Sequence, residues 1–237
     1  MSGHSKWSTI KRAKAVVDAK RGAVFTKIGN MITIAAKKSG DPDTNFSLRV
    51  AMDKAKAVNM PKDNITKAIK RGTGELSGEE IEELIYEGIG PAQTQIIVKC
   101  LTDNKNRTAA NIRHLFGKYN GSLGSVMWNF SQQGVIIIKN KELNKINSDL
   151  ELELIDQDVL DIVKEQEGLT VYTNMADLNK IKQFLESKNI IIKSADIEYV
   201  AKEKKEILNT SEQDRIDKLI DALEDNEDVT VCYTNIE

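Results

Sequence analysis

The sequence predicts an α+β protein of three domains: a basic N-terminal tail with a three-helix domain, then two ferredoxin-like α/β domains, one inserted into the other. Three observations predict it. Apolar side chains recur at helical spacing up to residue 72, strand-like β-branched runs alternate with amphipathic helices after residue 80, and the charge reverses between the two parts. The first 72 residues hold 16 Lys and Arg against 5 Asp and Glu, while the other 165 hold 18 against 31, so a net charge of −2 hides a strong dipole. A basic end on an acidic body points to a polyanion-binding module.

Residues 23–38 place Val24, Phe25, Ile28, Met31, Ile32, Ala35 and Ala36 on one stripe, and Gly40 fits the left-handed residue that follows a helix. Asp41-Pro42-Asp43 marks a turn. Leu48, Ala51, Met52, Ala55 and Val58 form a second stripe that must stop before Pro61. A third helix over 62–71 buries Ile65, Ala68 and Ile69, carries Lys70 and Arg71 in its last turn and stops at Gly72.

Gly72-Thr73-Gly74 through Ser77-Gly78 reads as a flexible joint. Residues 84–86 and 94–101 are strand-like around a turn at Gly88-Ile89-Gly90-Pro91, a helix over 107–119 ends at Asn120-Gly121, and residues 126–130 read as the strand closing a β-α-β unit. From Gly134 the order strand, helix, strand, strand, helix, strand is complete by residue 200, which is the split βαβ arrangement. One more helix, with Ile216, Leu219, Ile220 and Leu223 on its stripe, and a strand over 229–233 remain. An α-β pair cannot bury its own face, so it completes the earlier half-domain. The expected divisions are a tail over 1–22, a helical domain over 23–75, a discontinuous domain over 79–130 and 206–237, and an inserted domain over 131–205.

The longest aliphatic runs, Ile96-Ile97-Val98 and Val135-Ile136-Ile137-Ile138, are far short of the roughly 18 residues of a membrane span, so no membrane partner is expected. The N-terminus carries Lys6, Lys11, Arg12 and Lys14 without the apolar stretch of a secretory signal, although residues 1–38 are basic and acid-poor in the manner of a mitochondrial presequence. Cys100 and Cys232 lie in strand-like surroundings and read as buried free thiols, too few for a metal cage. The acidic clusters at Asp156, Asp158, Asp161 and at Glu224, Asp225, Glu227, Asp228 lack the glycine turn and closing glutamate of a calcium loop. His4 lies in the tail and His114 in a helix beside Leu115 and Phe116, with no nucleophile paired to either. No enzyme activity, cofactor, metal or small-molecule substrate is expected.

The residues leave two readings of the basic run over 6–21: a solvated tail, or a nucleic-acid contact in which Trp7 stacks on an unpaired base beside the phosphate contacts of Lys6. Lys62, Lys67, Lys70 and Arg71 are either an ordinary solvated helix face or part of the same grip. Asn104-Lys105-Asn106-Arg107-Thr108 stands where a strand hands over to a helix, and offers either a cap or an anion site.

The segments Gly3-His4-Ser5-Lys6-Trp7, Asp18-Ala19-Lys20-Arg21-Gly22, Phe25-Thr26-Lys27, Asn59-Met60-Pro61-Lys62-Asp63-Asn64-Ile65, Ala68-Ile69-Lys70-Arg71-Gly72-Thr73-Gly74, Leu101-Thr102-Asp103-Asn104 and Asn106-Arg107-Thr108 together resemble the YebC/PmpR family. The resemblance is dense from residue 3 to about 138 and thins beyond. It implies a three-domain, non-enzymatic regulatory protein of the cytoplasm, because the family motif starting at Gly3 leaves no room for a presequence. Members are described as DNA-binding transcriptional regulators, and some, including a mitochondrial translational activator, as acting at the ribosome. The target is therefore expected to be DNA, or alternatively ribosomal RNA, with a pure protein-interaction scaffold as a further alternative. The candidate contacts are His4, Lys6, Trp7, Lys11, Arg12, Lys14, Lys20, Arg21, Lys27, Lys62, Lys67, Lys70, Arg71 and Arg107, on a monomer or weak dimer.

Overall fold

The computed structural model describes residues 21–78, 80–139, 142, 148–165 and 168–237. Three helices, α1 (Arg21–Ala36), α2 (Phe46–Ala57) and α3 (Lys62–Gly72), precede β1 (Glu82–Ile89), β2 (Gln95–Thr102), α4 (Lys105–Lys118), β3 (Ser122–Leu123) and β4 (Phe130–Lys139). There follow α5 (Ser148–Ile155), β5 (Asp161–Glu165), β6 (Gly168–Thr173), α6 (Leu178–Ser187), β7 (Ile192–Ala201), α7 (Thr210–Glu224) and β8 (Val229–Thr234). The result is an α+β fold with an N-terminal helical region and two antiparallel sheets. The described residues form two compact units, one from those between 21 and 126 together with 204–237, the other from those between 127 and 203.

In the first unit the expected stripe of α1 is the face that packs. Ile28, Ile32, Ala35 and Ala36 join Leu48, Ala51 and Ala55 of α2 and Ile65 and Ala68 of α3 in one cluster, with Val24, Phe25 and Met31 against it. Ile32 and Leu48 are wholly buried, each contributing about 1.5–3 kcal/mol. Gly72 does more than stop α3: a Cβ there would stand 2.3 Å from the Thr33 carbonyl and 2.6 Å from Ala36 Cβ, so its absence lets α3 close on α1. Asn45 joins the other pair. Its Oδ1 accepts from the Leu48 N–H at 3.1 Å, capping α2, while its Nδ2 donates to Ala35 O at 2.8 Å and Ser39 O at 2.7 Å. Gly40 does not adopt the left-handed backbone expected of it. It serves packing instead, since a Cβ would lie 2.7 Å from Thr73 Cγ2.

The sheet of this unit runs β3-β1-β2-β8 and is antiparallel throughout. Helices α4 and α7 share its core: Ile112 and Phe116 from one, Ile216, Leu219, Ile220 and Leu223 from the other, against Ile96, Val98, Cys100, Val229 and Cys232. The C-terminal helix and strand thus complete the sheet that begins at β1. The turn expected at 88–91 starts later. Strand β1 runs through Gly88 to Ile89, and the reversal is made at Pro91–Gln93, where Ala92 and Gln93 take φ of 53° and 58°. The strand expected over 126–130 is also different. Two residues, Ser122 and Leu123, pair with β1, Met127–Asn129 is a 3-10 turn, and Phe130 opens a ten-residue strand of the other sheet.

That second sheet runs β5-β6-β4-β7, again antiparallel. Its elements follow the order βαββαβ, with the first and third strands central, as a ferredoxin-like sheet requires. Glycine weakens a strand, which makes Gly134 look like the start of β4 when the sequence is read alone. In the fold, glycine is needed inside the strand: a Cβ would stand 2.3 Å from Thr173 Oγ1 and 2.9 Å from Leu178 Cβ, blocking the approach of α6. Ile136, Ile138, Leu169, Val171, Ile181 and Leu185 are buried in this unit.

Candidate nucleic-acid interface

Helix α3 is built from a short sequence with a clear division of labour. Pro61, at φ −57° and ψ 139°, ends the preceding turn, and its carbonyl accepts from Asn64 N–H at 3.0 Å. Asp63 sits at the positive end of the helix and Lys70 and Arg71 at the negative end, as the macrodipole favours. Ile65 and Ala68 are buried and Ile69 half-buried, so Lys62, Thr66, Lys67, Lys70 and Arg71 are left exposed. Lys67 faces Lys70 and Arg71 across one helical turn, the spacing at which like charges repel in a free helix. Among the described residues none of Lys62, Lys67, Lys70 or Arg71 has a carboxylate partner. A helix that holds like charges unpaired on one face is suited to a polyanion.

Beside this face lies a groove of about 570 Å³ between α2 and α3. Its floor is Met52, Met60, Ile65 and Ile69, and its rim carries Lys56, Asn59, Lys62 and Thr66. The turn that opens it, over residues 58–61, depends on Asn59, whose φ of 55° is left-handed and better tolerated by asparagine than by most side chains. In the sequence Asn59 stands within a motif and Met52 on a stripe, and neither discloses the groove. The signal that could have found it is the pairing of a turn asparagine with methionines on both flanks.

The other candidate cations are placed differently. Lys27, on α1, donates from Nζ to the Glu224 carbonyl at the end of α7, joining α1 to that helix within the same unit. The guanidinium of Arg107 lies 2.9 Å from Asp103 Oδ1 and 2.9 Å from Asp228 Oδ1. Asp228 is almost wholly buried, and its second oxygen accepts from Thr108 Oγ1 at 2.8 Å. The hydrogen bond to Asp228 raises the Arg107 pKa above the ordinary arginine value. Asn104 caps α4 by accepting from Arg107 N–H at 3.0 Å, so of the two readings of this corner the cap is present. The Asp228 carboxylate thus binds both the Arg107 guanidinium and the Thr108 hydroxyl at this corner. A neighbouring cleft of about 410 Å³ has Arg71 and Arg107 on its walls together with Asp103, Glu227 and Asp228, a balance that does not favour phosphate.

His4, Lys6, Trp7, Lys11, Arg12, Lys14 and Lys20 lie outside the described residues, and Arg21 opens α1. Of the candidates, the structure therefore leaves Lys62, Lys67 and Lys70 exposed on α3, sets Arg71 of the same helix on a cleft shared with Arg107, and turns Lys27 to the end of α7. His114, expected to be structural, is exposed on α4. Cys100 and Cys232 are buried free thiols; burial pushes Cys100 up to about 12 and Cys232 well above the usual thiol range. Among the described residues no group of three or more His, Cys, Asp or Glu is arranged to hold a metal ion, and no helix is long and apolar enough to cross a membrane.

Two family models match this chain: one described as the TACO1/YebC protein N-terminal domain, over residues 5–75, and one as the TACO1/YebC second and third domain, over residues 81–236. A protein of Thermoanaerobacter pseudethanolicus named a probable transcriptional regulatory protein is 46% identical, over 100% of this chain and 97% of its own length. One of the same description from Persephonella marina is 45% identical over 100% of this chain and 96% of its own. The crystal structure of a conserved hypothetical protein from Aquifex aeolicus superposes with a TM-score of 0.85 at 36% identity, covering 98% of this chain and 97% of that one. With both matched segments accounting for nearly the whole sequence and the same fold seen in a solved relative, the chain belongs to the TACO1/YebC family.

Proposed function

We propose that this protein is a non-enzymatic regulator that binds nucleic acid through its basic N-terminal part, with duplex DNA as its target, a reading in keeping with relatives named probable transcriptional regulatory proteins. The observation that carries this reading is the unpaired cationic face of α3, where Lys62, Lys67, Lys70 and Arg71 are exposed together without carboxylate partners among the described residues. The connection of α2 to α3 through four residues supports it, since a helix pair joined by a short turn is the connectivity of a helix-turn-helix, in which the second helix meets the groove. Binding is phosphate-led: α3 offers four cations but few groups suited to base edges, Asn64 and Arg71 among them.

The basic residues of the tail over 1–22 act with the helical domain over 23–75 as one grip. The discontinuous domain, 79–130 with 206–237, and the inserted domain over 131–205 position it. The acidic remainder of the chain keeps duplex phosphates away from the rest of the surface, and the protein works in the cytoplasm as a monomer or weak dimer.

A second reading, contact with ribosomal RNA in a translational role, is favoured by the apolar groove beside α3, which a duplex would leave empty. Binding of the full-length protein to duplex DNA, single-stranded RNA and intact ribosomes, each across a salt series, separates the two. The first reading expects sequence-dependent duplex binding to persist near physiological salt. Preference for ribosomes there would overturn it in favour of the second, and salt-insensitive binding to all three would overturn both.

A further inference from the structure

The groove between α2 and α3 carries an inference that rests on the nucleic-acid reading and goes beyond it. Its volume of about 570 Å³ lies within the range of about 300–1,000 Å³ found for ligand pockets in proteins. Its floor is apolar: Met60 and Ile65 are nearly buried, while Met52 and Ile69 are half-buried and present their free surfaces to the opening. Methionine thioethers and branched aliphatic groups make favourable contact with the faces and edges of aromatic rings.

Polar groups stand only at the rim. Among the described residues the Asn59 side-chain amide and the Thr66 hydroxyl have no protein partner, so a donor-acceptor pair and a hydroxyl remain for the edge of whatever ring enters. Lys62 is likewise without a carboxylate, and Lys56 has only a solvent-exposed pair with Asp53 at 3.0 Å, an interaction that an incoming phosphate can displace. The charge of the rim is therefore positive, and it continues along α3 through Lys67 and Lys70.

A flat apolar-faced occupant with a hydrogen-bonding edge, joined on both sides to negative charge, is a nucleobase in a strand. We propose that this groove receives one unpaired base of a single-stranded nucleic acid, stacked on Met52 and Ile69, its edge met by Asn59 and Thr66 and its flanking phosphates by Lys56 and Lys62. A duplex cannot offer such a base without unstacking it, so the groove discriminates single strands and bulges from regular helices.

Thr66 lies exposed on α3 and lines the groove, so Thr66→Phe fills it from a position that tolerates size. Asn59→Gly removes the amide and keeps the left-handed turn. The full chain is titrated, by fluorescence anisotropy, with a short single-stranded RNA, the same strand with abasic sites, and its duplex. The expected result is that Thr66→Phe weakens single-strand binding about tenfold, the loss of one stacked base, with the salt slope unchanged because no cation is removed. The abasic strand should bind the parent protein as weakly as the intact strand binds Thr66→Phe, and Asn59→Gly should blunt preference among bases. Equal affinity of parent and Thr66→Phe for the intact strand, or of the parent for intact and abasic strands, overturns the inference while leaving salt-dependent binding, and so the nucleic-acid reading, in place. A change in the sedimentation mass of the free Thr66→Phe protein overturns it in favour of a contact between copies. If the parent protein binds none of the three in a salt-dependent way, the nucleic-acid reading itself fails.

Discussion

The last turn of α3 and the first turn of α4 both present basic side chains at a helix end, and they treat that charge in opposite ways. At α4, Arg107 is held by Asp103 and by the buried Asp228, which also takes the Thr108 hydroxyl. At α3, Lys67 and Lys70 are exposed with no carboxylate partner among the described residues. The difference teaches that the fold ties one helix-end cation to distant carboxylates and leaves others exposed, whatever their like appearance in the sequence. Arg107 is used to tie the C-terminal return of the chain to the corner after β2, and the carboxylate it meets is 121 residues away in sequence.

The sharpest way to break this comparison is at Asp228. Replacing it by Ala leaves the guanidinium of Arg107 and the hydroxyl of Thr108 without their buried acceptor, and should cost about 2–4 kcal/mol in urea unfolding, with nucleic-acid affinity of the folded protein unchanged. Smaller, but still a matter of the fold, is Gly72→Ala. The added methyl meets the Thr33 carbonyl and Ala36, so a loss of about 1–3 kcal/mol is expected, together with weaker binding because α3 is displaced.

On the other side of the comparison, the triple change Lys62→Gln, Lys67→Gln, Lys70→Gln should leave stability within about 0.5 kcal/mol, since these side chains are exposed and have no carboxylate partner among the described residues. Its effect belongs to binding, where a loss of tenfold or more at moderate salt is expected.

The mildest expectation concerns pH. Cys100, pushed up to about 12 by burial, stays protonated in the folded protein where an unfolded thiol, near 8.5, ionises. The folded state then binds the extra proton, so its stabilising contribution is complete below about pH 8.5 and is lost as pH rises toward 12. Urea unfolding should show about 2 kcal/mol less stability at pH 9.5 than at pH 8, since buried Cys232 is raised in the same sense, and Cys100→Ser should remove about half of that loss.

The two helix ends also differ in how far the sequence discloses them. Helix α3 is legible because everything that makes it is local: Pro61 before it, Ile65 and Ala68 at helical spacing, Lys70 and Arg71 in its last turn and Gly72 closing it. The return of α7 and β8 to the first sheet is legible for a different reason, that a helix and strand alone cannot bury a face. What the sequence hides is long-range. Neither the Arg107–Asp228 pair nor the bond from Lys27 to Glu224, 197 residues apart, leaves any periodic trace, so both cations look as free as Lys67. Gly134 misleads in the same way, because the Leu178 side chain that requires it lies on a helix more than forty residues later. The groove is hidden because it exists only when Met52 and Ile69 are brought across the turn at Asn59.

The most direct measurement of the central claim is the salt dependence of nucleic-acid binding by the full chain, compared with the Lys62, Lys67, Lys70 triple variant and with Arg107→Gln. If the exposed face of α3 neutralises phosphates and the α4 corner does not, the log-log slope on duplex DNA should become shallower by about 2 to 3 in the triple variant, near 0.9 for each phosphate no longer neutralised, and should not change in Arg107→Gln. An unchanged slope in the triple variant, or a slope flattened by Arg107→Gln instead, would contradict the account.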